Sequence, residues 1–515
     1  MEAHSESKLN NGDLRSLKNC WVHFVAIGGT GVGALAALLQ DQGAIVTGSD
    51  GPLYPPMSTF LASRKIPMKT EYSSLNLEGA TWGLKFEFPQ IVVVGNAISR
   101  SNVEAMRVEE LLALQKIKRM SHAEALAESA IGDRKSLVVA GTHGKSTTTS
   151  ILTWALESLH KNPGFFIGGL PKNFESGCRL GTGNIFVSEG DEYDTAYWDK
   201  ESKFLHYRPH WVLCTGIEFD HADIFKDLQA IEKMFVKLSA KTREGFLLID
   251  SDSSPKPAST EVLAAAIRER GLKLFRYGKK NGSDFQLLSC QATPIQKSTL
   301  GTKILFKSQK WGSVELLSPM TGEHNALNLC GVLGLLIASG ELDKPEEAQK
   351  FLSSFQGIKR RQEEVFVSDE LIVIDDFAHH PTAIRETVDA IKSRYPTSQV
   401  AAFFEARSAT SSRQVMADDF AKCFDNADAL FLSPPTKLNI PEAEKLDVFS
   451  LMESIKARPE NHGKCFVLNK ENMALVEEFR KWRISLKSQN KKQVVALVMS
   501  NGPFGGIHKI LAEKG

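Results

Sequence analysis

Gly141-Thr142-His143-Gly144-Lys145-Ser146-Thr147 stands between the apolar run SLVVA and the helix-periodic stretch TTSILTWALESL. Strand, glycine-rich turn and helix in that order build an anion site. Backbone N–H groups close around phosphate oxygens, and the helix N-terminus adds positive potential. Lys145 is long enough to reach β- and γ-phosphates, and the Ser146 hydroxyl can bind Mg²⁺. Where the usual loop carries its first glycine this chain has Val139, so the turn is a shortened variant. Further on, Glu189-Gly-Asp191-Glu192-Tyr-Asp194 closes the strand-like run IFVS. Carboxylates packed that densely repel one another unless cations neutralise them, and oxygen donors beside phosphate suit Mg²⁺. Glu218-Phe-Asp220-His221-Ala-Asp223 closes another such run, where His221 can ligate a metal or move a proton.

A second glycine-rich turn, Gly28-Gly29-Thr30-Gly31-Val-Gly33, follows HFVAI, and Ser49-Asp50 closes the next run. The physics requires a diphosphate at a helix N-terminus. A nicotinamide dinucleotide is one specific occupant, and a plain tight turn is the bland alternative. Gly322-Glu-His324-Asn325-Ala-Leu-Asn328 opens a helix with both amides on one face, suited equally to a purine edge or to capping. Arg360-Arg361, Asp375-Asp376-Phe-Ala-His379-His380-Pro381 and Glu405-Ala-Arg407-Ser408 place an Arg pair and two strand-end polar clusters later in the chain. Arg suits phosphate and carboxylate because its fork is planar and always charged.

Three successive regions position these residues, and each begins with a strand-like run. WVHFVAIGGTGVGALAALLQDQG, AIVTGSD and IVVVGNA alternate strand, helix and strand, as do the runs around SLVVA, IFVS, HWVLC and GFLLI, and those around ELIVIDD, QVAAFFE and QVVALVM. That alternation predicts parallel, doubly wound sheets, whose ligands bind beyond the carboxyl ends of strands. Every polar cluster falls at such an end, which predicts one shared cleft. The stretch 280–320 has no legible period.

Composition bounds the partners. The 515 residues carry 62 Lys and Arg against 61 Asp and Glu, and this near-neutral balance argues against nucleic acid as the main partner. Seven scattered cysteines, none in a C-x-x-C pair, fit a reducing compartment without a zinc or redox motif. The opening MEAHSESKLNNGDLRS has no apolar core, and Ala326–Gly340 is too short and polar to span a bilayer, so a cytoplasmic location without membrane contact is expected.

Taken together, GTHGKST at 141–147, EGDEYD at 189–194, FDH at 219–221, GEHNALN at 322–328 and GIKRR at 357–361 resemble the Mur ligase family of ATP-dependent amide-forming enzymes. GSDGPLYPPMST at 48–59, DEYDTAYWDKESKFLHY at 191–207, DDFAHHPTAI at 375–384, EARSAT at 405–410 and MSNGPFGGIH at 499–508 resemble the branch that uses a recycled peptide. The resemblance implies an α/β fold in three domains. After a polar extension at 1–20 come a Rossmann-like UDP-sugar domain at 21–130, a central P-loop ATPase-like domain with a mostly parallel sheet at 131–358, and a Rossmann-like peptide-binding domain at 359–515. It implies that UDP-N-acetylmuramate is joined through an acyl phosphate to L-alanyl-γ-D-glutamyl-meso-diaminopimelate, with ATP and Mg²⁺, by a monomer or weak homo-oligomer. It further implies catalytic Lys145, Glu189 and His221; metal ligands Ser146, Glu189 and His221; ATP contacts at Gly141, Thr142, His143, Gly144, Lys145, Ser146, Thr147, Asn325, Asn328, Arg361 and Asp376; UDP-sugar contacts at Gly28, Gly29, Thr30, Gly31, Gly33, Ser49 and Asp50; and peptide contacts at Arg407 and Ser408. The L-alanine ligase of the same family is the near alternative, and an NAD-dependent oxidoreductase the distant one. One departure stands out: Gly216 occupies a position where the family usually has Asn.

Overall fold

The computed structural model describes residues 17–55, 57–296, 299–435, 440–487 and 493–514. Most of the expected 1–20 extension lies outside them; Leu17 is buried in the first core. Among the described residues three main sheets form in chain order.

The first has five parallel strands in the order Met68–Lys69, Ile45–Ser49, Trp21–Val25, Ile91–Val94, Lys118–Ser121. The strand order reverses at Trp21–Val25. The glycine-rich turn leaves that strand and opens the helix Thr30–Asp41, so it sits at the switch point where doubly wound sheets bind ligands.

The second sheet has ten strands. Its middle is parallel, with Lys273–Gly278, Gly245–Ile249, Trp211–Cys214, Lys135–Ala140, Ile185–Glu189 and Gly164–Phe166 side by side. Lys135–Ala140 and Ile185–Glu189 are nearly continuous apolar runs because helices cover both faces. At one edge Phe285–Gln296, Thr299–Ser308 and Gly312–Ser318 form an antiparallel extension, which is the stretch without a legible period.

The third sheet has six strands in the order Glu363–Val367, Leu371–Asp376, Val494–Met499, Gln399–Glu405, Ala429–Ser433, Cys465–Leu468. All but the first pairing are parallel. The alternation predicted α/β folding in all three regions, and three largely parallel sheets result. None of the described helices is long and apolar enough to cross a membrane.

Candidate active site

The helix Lys145–Ser158 starts directly after the strand Lys135–Ala140 and its glycine-rich turn. Gly144 adopts φ +76°, and a Cβ there would stand 2.7 Å from Asn328 Oδ1. The turn is thus pressed against the helix Glu323–Ala338, which carries both Asn325 and Asn328. Asn325 donates its amide N–H to Thr321 O, four residues back, at 2.8 Å.

Lys145 Nζ does not project freely. It donates to Gly141 O at 2.7 Å, to Thr142 O at 3.3 Å and to Glu192 Oε2 at 2.7 Å. Burial alone would lower its pKa, but the charge and hydrogen bond of Glu192, with Glu189 and Asp191, hold it above the ordinary value. Glu192 belongs to the acidic loop but was not among the residues singled out. Only the folded chain reveals that it holds the loop lysine.

Ser146 Oγ donates to Glu189 Oε1 at 2.8 Å, and Gly168 N–H donates to Glu189 Oε2 at 2.8 Å. His221, at φ +56°, is held in a sparsely populated conformation at the strand end. Its Nε2 lies 3.8 Å from Glu192 Oε2, so it faces Glu192 across from the lysine. Burial lowers the His221 pKa, and Glu192 and Asp220 more than restore it, leaving it raised. Glu192 Oε1 is buried without a hydrogen-bond partner. An orphaned carboxylate oxygen beside Glu189 and the Ser146 hydroxyl is a hard-oxygen donor set, and it fits Mg²⁺.

A cavity of about 420 Å³ opens beside the turn. Thr142, His143, Gly144, Thr147, Asn325 and Asn328 line it from the middle region, and Arg361 and Asp376 from the third. The structure therefore gathers those eight expected ATP residues around one space. Arg361 lies over the Phe377 ring at 4.9 Å. Asp376 is buried and accepts Gln362 N–H and Ala378 N–H at 2.7 Å each, so it shapes the connection between the two regions.

The Gly216 departure has a local cause. Gly216 has φ +130°, and a Cβ would meet nothing nearer than Pro255 Cδ at 3.5 Å. Backbone conformation, not space, calls for glycine. Its carbonyl accepts Thr142 N–H at 2.9 Å, which fixes the nucleotide turn.

In the first region Asp50 Oδ2 accepts Gly28 N–H at 2.6 Å, and Asp50 Oδ1 accepts Gly51 N–H at 2.7 Å. Asp50 therefore ties the turn to the next strand. Gly29 caps the helix that Thr30 begins, Gly31 lies against His122, and Gly33 is buried against Ile27 and Leu61. Ser49 was expected to touch the UDP-sugar. The structure places it fully buried, donating to Glu104 Oε1 at 2.8 Å, where it supports the turn from behind.

In the third region Arg407 packs along Gly502, and its Nη1 lies 3.9 Å from Glu405 Oε2. The same Glu405 oxygen accepts Ser500 Oγ at 2.9 Å, so the Arg407 pairing with it is the longer of its two contacts. Ser408 closes a tight turn with Ser411, through Ser408 N–H to Ser411 Oγ at 2.9 Å and Ser411 N–H to Ser408 Oγ at 2.9 Å. Glu218, named in sequence only as part of its acidic cluster, is bonded to His143, and Thr382, which no sequence signal marks, donates its hydroxyl to Glu218 Oε1 at 3.1 Å across the seam between regions.

Comparisons with known proteins agree with this layout. Residues 21–133 match the model described as Mur ligase family, catalytic domain; 139–336 match Mur ligase middle domain; and 360–496 match Mur ligase, glutamate ligase domain. A UDP-N-acetylmuramate–L-alanyl-γ-D-glutamyl-meso-2,6-diaminoheptandioate ligase from Haemophilus influenzae is 34% identical, covering 96% of this chain and 98% of its own. A UDP-N-acetylmuramate–L-alanine ligase from Pediococcus pentosaceus is 30% identical over 81% of this chain and 85% of its own. The crystal structure of a murein peptide ligase from Psychrobacter arcticus superimposes with a TM-score of 0.64 at 30% identity, covering 96% of this chain and 98% of that one.

Proposed function

This chain belongs to the Mur ligase family, and we propose that it is the ATP-dependent ligase joining UDP-N-acetylmuramate to L-alanyl-γ-D-glutamyl-meso-diaminopimelate. The observation that carries the choice within the family is coverage. Likeness to the tripeptide ligase runs through 96% of this chain, against 81% for the L-alanine ligase.

A carboxylate is a poor electrophile because its leaving group would be oxide. ATP removes that obstacle. The lactyl carboxylate oxygen takes the γ-phosphoryl group and ADP leaves. The peptide amine then attacks the acyl carbon, loses its proton, and phosphate departs. The chain's contribution is positioning and charge stabilisation. Backbone amides of the 141–147 turn cradle the phosphates, and Lys145 neutralises charge on the group in transfer. Ser146, Glu189 and His221 would hold Mg²⁺, and the orphaned Glu192 oxygen would add a further oxygen donor. When bound, Mg²⁺ would screen the phosphate oxygens and orient the γ-phosphoryl group. Gly28 to Gly33 receive the UDP diphosphate, and the third domain presents Arg361 to the nucleotide and Arg407 to the peptide. This reading takes the domains at 21–130, 131–358 and 359–515, and the family matches at 21–133, 139–336 and 360–496 support that division. The seam between the second and third excludes water from the acyl phosphate.

Phosphate release tests the reading. With ATP and UDP-N-acetylmuramate present, the tripeptide should drive turnover and L-alanine should not. Equal or greater turnover with L-alanine overturns the assignment, and turnover with neither removes the ligase reading.

A further inference from the structure

At the seam between the second and third domains, three side chains converge, of which only His143, as an expected ATP contact, enters the chemistry above. His143 Nε2 lies 2.8 Å from Glu218 Oε2, and His380 Nδ1 lies 3.8 Å from the same oxygen. The two imidazole rings are 4.4 Å apart between centroids, and the three ligand atoms all fall within 4.8 Å of one another. We propose that His143, Glu218 and His380 form a binding site for a borderline transition-metal ion, with Zn²⁺ the best fit, which bridges the nucleotide-binding domain to the third domain.

The distances suit such an ion. Around a tetrahedral centre with bonds of about 2.1 Å, ligand atoms stand roughly 3.4 Å apart, so side-chain shifts of under about 1 Å complete the site. Two nitrogens and one oxygen select Zn²⁺, Co²⁺ or Ni²⁺ over Mg²⁺, which demands oxygen ligands in an octahedron.

Supporting contacts are also in place. Thr382 N–H donates to His380 Nδ1 at 3.3 Å, so the ring proton sits on Nε2, which lies 3.3 Å from Phe219 O. That fixes the Nε2–H tautomer, and an ion at Nδ1 would take over the lone pair that Thr382 N–H now engages, 3.8 Å from Glu218 Oε2. Glu218 is oriented by Thr382 through its other oxygen. Ligand rings and carboxylates anchored in this way are the usual outer shell of a metal site. Protonation also favours binding. Burial, with the charge of His143, brings His380 down to about 3. Burial raises the Glu218 pKa, but the hydrogen bond and charge of His143, with His380 and Thr382, bring it down to about 2. Near pH 7 the site thus presents a neutral imidazole beside a carboxylate, the forms that bind metal. His143 and Glu218 also border the 420 Å³ cavity, which leaves a fourth position for water or a nucleotide oxygen. His143 and Glu218 belong to the middle region and His380 to the third, so a bound ion holds the two domains closed.

Equilibrium dialysis of the full chain against Zn²⁺ in excess Mg²⁺, with Co²⁺ visible absorption as a second readout, tests the site. One Zn²⁺ per chain and a tetrahedral Co²⁺ spectrum are expected. His380→Asn keeps a good N-cap, and Glu218→Gln keeps the carboxylate's shape; each should weaken Zn²⁺ binding by at least about tenfold. Thermal unfolding without metal verifies that each variant is folded, and added Zn²⁺ should raise the midpoint of the native chain alone. Absence of stoichiometric binding by the native chain overturns the proposal, as does a variant that binds Zn²⁺ within twofold of it. Neither outcome depends on ligase turnover.

Discussion

Lys145 and Glu192 constrain each other before any nucleotide arrives. Their ion pair is 2.7 Å long, with the Glu192 side chain 3% exposed and that of Lys145 13%. Removing one partner of such a pair strands a buried charge, at a cost of about 3 kcal/mol or more. Lys145→Ala should therefore abolish phosphate release and also lower the unfolding midpoint. The double variant Lys145→Met with Glu192→Gln should recover most of the stability and none of the activity. Recovery of turnover by the double variant would refute a phosphate-directed role for Lys145. His122 makes a second prediction. It is 6% exposed, both ring nitrogens lack partners, and burial, with the charge of Lys203, brings its pKa down to about 3. The folded state keeps this ring neutral, whereas the unfolded chain protonates it below about 6.5. Its contribution is therefore present above pH 6.5 and lost as pH falls toward 3, amounting to about 2 kcal/mol between pH 8 and pH 5. Unfolding midpoints at those two pH values should differ less in His122→Phe than in the native chain. Lys145 was legible in sequence because its whole motif is local. Glu192 was quoted without its task, because only the loop's return over the 141–147 turn brings the two together.

The turn that follows the strand Trp211–Cys214 shows how one element supports another. Gly216 lends its carbonyl to Thr142 from a left-handed conformation, φ +130°. Gly216→Ala should cost about 1–3 kcal/mol of stability through backbone strain. Moving that carbonyl also moves Thr142, so the KM for ATP should rise with it. Thermal unfolding and ATP titration read the two effects, and a variant with native values in both would place the turn's support elsewhere. Parallel strands such as Lys135–Ala140 were readable because they are short apolar runs ending in polar clusters. The antiparallel strands between 285 and 318 were not. Shifts in register between Leu287 and Ser289 and between Pro294 and Gln296 break the period of two. Phe285, Leu287, Ile304, Phe306 and Leu316 still point into the core, but no fixed spacing announces them.

At the scale of the whole molecule, the proposed chemistry is divided among three sheets, and the cavity itself is lined from the second and third regions only. Contacts across the seam include the Lys172–Glu363 ion pair at 3.0 Å, Thr321 Oγ1 to Gln362 Oε1 at 3.1 Å and Ala222 N–H to Thr410 Oγ1 at 3.1 Å. On the proposed reading each region selects its own substrate, and the seam brings the reacting groups together. Arg407 tests that division. It follows the strand Gln399–Glu405, its side chain is 35% exposed, and Glu405 is bonded more closely to Ser500. A carboxylate of an anionic peptide would be a stronger, bidentate partner for this fork than the 3.9 Å pairing with Glu405. Arg407→Lys keeps the charge and loses the bidentate geometry, so the tripeptide KM should rise about tenfold, equivalent to roughly 1.4 kcal/mol. The KM values for ATP and UDP-N-acetylmuramate should hold, because their proposed contacts lie on the other two sheets and on Arg361. Steady-state kinetics with each substrate varied in turn decides the matter. If all three KM values rise together, Arg407 braces the third domain's fold; if none changes, the peptide is held by other groups.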